Sequence, residues 1–207
     1  FFLELLRRNI PGTKELGIDA GCGPFTNDEL YDGFAGRWLA IDHSQESFRE
    51  ASDGEAVRPV IGDLGRLPVK SGSADIVLLL DVLEHTEDDR RVLSGLRDVL
   101  KKGGFMLVSV PAFVCLWSRH DEQAGHRRRY GRKELETLCR EAGLTVVGSY
   151  HFNSALFLPI YVARKVLKAI PSGKDVLEVN LSPSFADPIL YLLLKIEKFV
   201  NFNIARL

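Results

Sequence analysis

Short apolar runs alternate with stretches of helical period over most of this chain. Residues 16–19, 38–41, 57–61, 74–80 and 105–110 read as strands, and 76–80 are apolar at odd and even positions alike. A strand with that pattern is covered on both faces. Between the strands lie helix signals. Ser44 can cap a short helix through Ala51, and Asp88 or Asp89 can cap a longer one carrying Val92, Leu93, Leu96, Val99 and Leu100 on one side. Gly103-Gly104 supplies its stop. Leu135, Leu138, Cys139 and Ala142 form another stripe ended by Gly143, and residues 145–152 read as a further strand. This alternation predicts an α/β fold, a doubly wound, mostly parallel sheet with helices on both faces.

After residue 152 the alternation gives way to helix alone. Leu156, Ile160, Ala163, Leu167 and Ile170 share one helical face, with Arg164, Lys165 and Lys168 on another. Asp187-Pro188 has the form of an N-cap followed by proline at the first helical position. Ile189, Leu192, Leu193, Ile196 and Phe199 continue from it on one side. The expectation is a single domain over 1–207, with a core over about 15–150. Extra C-terminal helices over about 153–200 act as cap or extension. Packing against the sheet is the default for them, while Phe157, Tyr161 and the basic face also fit peripheral membrane contact. Residues 1–8 resemble the end of an amphipathic helix, too short and charged for a signal or span. Because the chain opens on Phe1, further N-terminal residues are expected before it.

Composition narrows the classes. With 207 residues, 45% of them hydrophobic, the chain can bury one sizeable core, and a net charge of −1 offers no electrostatic footprint for nucleic acid. Three separated cysteines have no metal-ligand spacing, so reduced thiols and a cytoplasmic location are expected.

The chemistry concentrates at the strand ends. Residues 16–23, Leu-Gly-Ile-Asp-Ala-Gly-Cys-Gly, run from a strand into a turn where Gly21 and Gly23 flank a small residue. Glycines there let the backbone approach a ligand closely. About 20 residues further on, Asp42 ends the second strand, where a carboxylate can accept from ribose hydroxyls. Together these describe an adenosine pocket. Gly62-Asp63-Leu64 closes the third strand, and Asp81-Val82-Leu83-Glu84-His85 follows the fourth.

With these motifs in this order, the chain resembles the small stand-alone class I S-adenosylmethionine-dependent methyltransferases of Rossmann-like fold, over roughly residues 15–150. The resemblance implies S-adenosylmethionine as cofactor and S-adenosylhomocysteine as product. It places Asp19, Gly21, Cys22 and Gly23 at the methionine end, and Asp42 at the ribose with His43 beside the adenine edge. Asp63 and Leu64 would meet the adenine, and Asp81 and Val82 would line the sulfonium. Phe25 departs from the family's usual third glycine and could narrow the pocket; a non-catalytic cofactor-binding protein is the alternative it suggests. An NAD-dependent oxidoreductase shares the glycine turn, but Asp63-Leu64 and residues 81–85 speak against it.

The acceptor side falls to residues 117–130, Trp-Ser-Arg-His-Asp-Glu-Gln-Ala-Gly-His-Arg-Arg-Arg-Tyr, which emerge from the carboxyl end of the fifth strand. Similar segments occur in a subgroup of the family. Its histidines could take a proton, and its arginines could clamp a phosphate or carboxylate. His85, His126 and Tyr130 are the candidate catalytic residues. His120, Asp121 and His126 imitate a two-histidine, one-carboxylate site, but methyl transfer needs no metal and none is expected. No Asn/Asp-Pro-Pro-Tyr sequence follows the fourth strand, which argues against amino methylation of nucleic-acid bases. The expected acceptor is an oxygen on a small molecule or a lipid- or glycan-linked intermediate, acidic in character.

Overall fold

A computed structural model describes residues 14–24, 34–48 and 56–152, with 7, 10, 12, 31, 157–158 and 161–162. Five strands form one sheet: β1 (Lys14–Ala20), β2 (Ala35–Asp42), β3 (Val57–Ile61), β4 (Ala74–Leu80) and β5 (Leu100–Ser109). Their order is β3-β2-β1-β4-β5, and every pairing is parallel. The order reverses between β1 and β4, so their carboxyl ends diverge into a crevice where such sheets bind ligands.

The period of two along β4 feeds two cores. Val77 and Leu79 point to the face covered by α1 (Asp89–Val99) and α3 (Arg132–Glu141), through Val92, Leu93, Leu96, Leu138 and Cys139. Ile76 and Leu78 point the other way, packing with Trp38, Ile10, Tyr31 and Phe34. A parallel sheet buried on both faces needs such continuous apolar strands. Helix α1 starts where Asp88 caps it, its carboxylate accepting from the Arg91 amide at 2.9 Å. On α3, Glu136 pairs with Arg132 and Arg140, each one turn away. A short helix, α2 (Arg119–Gln123), lies between β5 and α3.

Three expectations change. The helix ends at Val99 rather than at Gly103-Gly104, and β5 starts at Leu100, because Lys101 Nζ reaches Asp75 Oδ2 on β4 at 3.0 Å. Residues 101–104 bulge there, since Ala74 pairs with Leu100 but Ile76 with Phe105. Residues 145–152 form no regular strand; Val146 packs on the core but Val147 faces solvent, and no described strand pairs with the run. The helix after Ser44 is a 3₁₀ turn over Gln45–Phe48.

The chain divides into two compact units. One, Phe2–Val114 with Ser118–Val147, holds the sheet; the other takes Phe1, Cys115–Trp117 and the residues from Gly148 on. In the second, Phe157 and Tyr161 stack with ring centroids 5.7 Å apart. The two expected C-terminal helices otherwise lie outside the described residues.

Candidate active site

The glycine turn closes against its neighbours through backbone bonds. Gly21 N and Cys22 N donate to Ile41 O at 2.7 and 3.2 Å, and Gly23 N donates to Asp42 Oδ2 at 3.0 Å. Asp42 Oδ1 accepts from Ser44 N at 2.8 Å. These bonds tie the end of β1 to the end of β2. Gly21 sits at φ +77°, and a Cβ on it would lie 2.5 Å from Val82 Cγ2, so the end of β4 closes in from the other side. The buried carboxylate of Asp19 accepts from Tyr31 Oη at 2.7 Å. Burial, followed by the charges of Asp19 and Asp42, pushes the Cys22 thiol up to about 12. It stays a thiol and fills the turn. His43 projects into solvent, its side chain 89% exposed.

Asp63, at the end of β3, accepts from Gly65 N at 2.8 Å in a tight turn that presents Leu64. Asp81 ends β4 at φ +53°, a left-handed conformation costly for a residue with a Cβ. Ser109 Oγ donates to Asp81 Oδ1 at 3.1 Å, and Asp81 N donates to Ser109 O at 3.0 Å, holding that reversal. A 3₁₀ turn, Leu83–His85, follows.

On this turn the loop from α2 to α3 folds back. Arg127 N donates to Glu84 O at 2.7 Å, and His85 and His126 meet edge to face, ring centroids 4.8 Å apart. His126 Nδ1 lies 3.1 Å from Asp121 Oδ1, which also accepts from Arg129 Nε at 2.7 Å. Burial pushes the Asp121 pKa up, but Arg129, Ser118 and His126 outweigh it and hold the carboxyl below its usual range. Burial and then His126 lower the His85 pKa, favouring the neutral imidazole. The Tyr130 hydroxyl lies 3.2 Å from Leu83 O and 3.1 Å from Asp89 Oδ2, and burial with the Asp89 charge pushes its pKa up. It buttresses the turn from beneath.

The three consecutive arginines all serve the loop. Arg127 pairs with Glu87, Arg128 with Asp89 and the carbonyls of Thr86 and Glu87, Arg129 with Asp121 and Ala112 O. The expected clamp on an acceptor is therefore a clamp on the protein itself. His120 is exposed, while Asp121 is fully buried among Ser118, His126 and Arg129, so the His120–Asp121–His126 grouping does not form. Phe25 lies outside the described residues.

A methyltransferase-domain family model matches residues 18–108, from β1 through β5. A Mycolicibacterium smegmatis protein, "Probable S-adenosylmethionine-dependent methyltransferase", is 29% identical over 143 residues, covering 65% of this chain and 54% of its own. The malonyl-acyl-carrier-protein O-methyltransferase of Hamiltonella defensa is 25% identical, over 61% of this chain and 52% of its own. In fold, the chain superposes on an S-adenosylmethionine-dependent methyltransferase from Mesorhizobium loti with a TM-score of 0.61. The two are 17% identical, over 79% of this chain and 91% of the other.

Residues 18–108 carry a methyltransferase domain, and the chain is similar to S-adenosylmethionine-dependent methyltransferases in sequence. It spans about half the length of the curated relatives it matches.

The residues present fit the methyltransferase cofactor. Among the described residues nothing lies within 4 Å of where a Cβ on Gly23 would stand, so the turn faces open space at the sheet's switch point. Asp42 accepts two backbone amides, and a carboxylate offers about four lone-pair sites, leaving capacity for ribose hydroxyls. Two members of the site carried no assigned role in the sequence reading. Ser109 is one, holding Asp81. The other is Glu84, fully buried, with neither carboxylate oxygen hydrogen-bonded among the described residues. Burial, with the Asp81 charge adding to it, raises its pKa to about 7, against its own amide and Arg129. A glutamate in a polar tripeptide after a strand gives no sequence signal of such burial.

Proposed function

We propose that this chain transfers the methyl group of S-adenosylmethionine to an oxygen nucleophile on a small-molecule or lipid- or glycan-linked acceptor. The observation that carries this reading is the His85–His126 pair on the turn that follows β4, whose Val82 closes against Gly21 of the glycine turn. Bound S-adenosylmethionine supplies an electrophilic methyl carbon, and the protein contributes position and proton handling. Asp42 takes the ribose hydroxyls, Asp63 and Leu64 meet the adenine, and Asp19 with the turn amides faces the methionine end. His43, given its exposure, contributes at the rim. Asp81 and Val82 line the approach to the reacting carbon.

On the acceptor side, the neutral form of His85 is suited to hold or accept an O–H proton. His126, fixed by Asp121, completes the wall, and Tyr130 positions both by bracing the turn. The Hamiltonella relative, an O-methyltransferase by name, supports an oxygen and an acidic acceptor. We place the protein in the cytoplasm, with peripheral membrane contact through Phe157, Tyr161 and the basic residues that follow. Among the described residues no helix is long and apolar enough to cross a membrane.

Titration with S-adenosylmethionine and S-adenosylhomocysteine by calorimetry, with NAD as control, tests the cofactor. Both sulfur compounds should bind, NAD should not, and Asp42→Ala should weaken binding at least about tenfold, near the worth of one or two charge-assisted hydrogen bonds. Release of S-adenosylhomocysteine with acidic and lipid-linked acceptors then tests turnover. Cofactor binding without turnover on any of them would favour the non-catalytic reading.

A further inference from the structure

Glu84 poses a chemical problem that methyl transfer leaves unsolved. Its carboxylate is 0% exposed, and both oxygens are without a hydrogen-bond partner among the described residues. A buried acid in that state calls for a cation or a donor. What surrounds it is a pair of imidazoles. One ligand atom each from Glu84, His85 and His126 lie within 4.8 Å of one another.

A further feature orients His126. Asp121 only accepts, so the His126 nitrogen 3.1 Å from it, Nδ1, carries the proton and leaves Nε2 for a ligand. Asp121 is itself fixed by Arg129 at 2.7 Å and by Ser118 N at 2.9 Å. A carboxylate behind a ligating histidine is the usual outer shell of a metal site, setting tautomer and ring orientation. His85 Nδ1 would lie 4.0 Å from a Cβ built on Gly125, in the loop that carries His126.

We propose that Glu84, His85 and His126 bind one divalent cation of the zinc–cobalt class, with an open position on the exposed His85 side for an acceptor oxygen. Two imidazoles and one carboxylate make a ligand set that suits these ions and not magnesium, which prefers oxygen alone. Donors about 2.1 Å from a common tetrahedral ion sit about 3.4 Å apart, so the three groups close by up to about 1.4 Å on binding. That is within reach of side-chain rotation, because His85 is exposed. The site stands on these residues alone. A cation bound there takes the His85 lone pair that the methyl-transfer reading gives to the acceptor proton, and only the acceptor oxygen in the open position rests on that reading.

Chelator-treated full-length protein titrated with Co²⁺ tests this, followed by visible absorption and calorimetry. One equivalent should bind with d–d bands of low coordination number, and Zn²⁺ should displace it. Glu84→Gln and His126→Ala should each weaken Co²⁺ binding at least tenfold, and Asp121→Asn by about 10–100-fold, the range for an outer-shell partner. Thermal melts and S-adenosylmethionine affinity of each variant separate loss of the site from loss of the fold. Absence of stoichiometric Co²⁺ binding, or affinity unchanged in both Glu84→Gln and His126→Ala, overturns the proposal. Protein that binds Co²⁺ but not S-adenosylmethionine keeps the metal site and overturns the methyl-transfer reading instead.

Discussion

An alanine at position 21 would put its Cβ 2.5 Å from Val82 Cγ2, on a backbone held at φ +77°. Both penalties fall on the glycine turn, so Gly21→Ala should cost about 1–3 kcal/mol in a thermal melt. It should also weaken S-adenosylmethionine in calorimetry. Gly17 is the control for that logic. Its Cβ would meet the Trp38 ring at 2.4 Å, but in ordinary strand geometry on the sheet face carrying the second core. Gly17→Ala should therefore lose about 1–3 kcal/mol by overpacking while the folded fraction keeps its cofactor affinity. The two glycines lie four residues apart and look alike in sequence. Gly21 was legible because it belongs to a local turn with a known chemistry. The indole beside Gly17 arrives from 21 residues later in the chain, and no local pattern records it.

At the scale of elements, the amino ends of three strands meet on one carboxylate. Asp75 Oδ2 on β4 accepts from Glu15 N and Leu16 N on β1 and from Lys101 Nζ on β5. Burial pushes the Asp75 pKa up, but Lys101 and the two amides outweigh it and hold it below 3.8. A folded-state pKa below the unfolded value means that ionised Asp75 stabilises the fold above about pH 4, and that this is lost as pH falls through the lowered value. Asp75→Asn should thus cost about 1–3 kcal/mol at pH 7. In urea melts the gap from the parent should shrink below pH 4 toward zero, and a gap constant with pH would reject the assignment. The same carboxylate explains why the start of β5 was hidden. Lys101-Lys102-Gly103-Gly104 reads as a helix stop, and only a partner 26 residues upstream makes a strand of it. Residues 145–152 fail for the converse reason: their alternation is real, but a strand requires a neighbour to pair with.

For the molecule as a whole, the order β3-β2-β1-β4-β5 puts the glycine turn, Asp42 and the His85 turn at one end of the sheet and the Asp75 knot at the other. Stability and function can then be perturbed separately. Cofactor binding should stabilise the fold by about 2.7 kcal/mol at 100 times Kd, raising the melting temperature with cofactor concentration. Asp75→Asn should lower the starting temperature but leave that increment intact. This global layout was the most readable part of the sequence, since parallel sheets demand two-sided apolar strands and right-handed crossovers. The proposed acceptor site was readable only in part. His85 and His126 stood out as residue types, whereas their meeting depends on Arg127 and Arg129 reaching carbonyls and carboxylates elsewhere in the fold.

Those arginines also decide which variable of solution can loosen the loop. Guanidinium does not titrate in the range where proteins fold, so neutral and alkaline pH leave the fastening untouched. Ionic strength is the remaining lever, and it acts unevenly. The pair of Arg127 with Glu87 stands 51% and 80% exposed, and salt at about 1 M shortens the screening length to about 3 Å. The pair of Arg129 with Asp121, at 11% and 0%, lies beyond that screening. A salt ramp followed by amide exchange would thus peel the loop from its outer stitch inward, with His126 the last to let go.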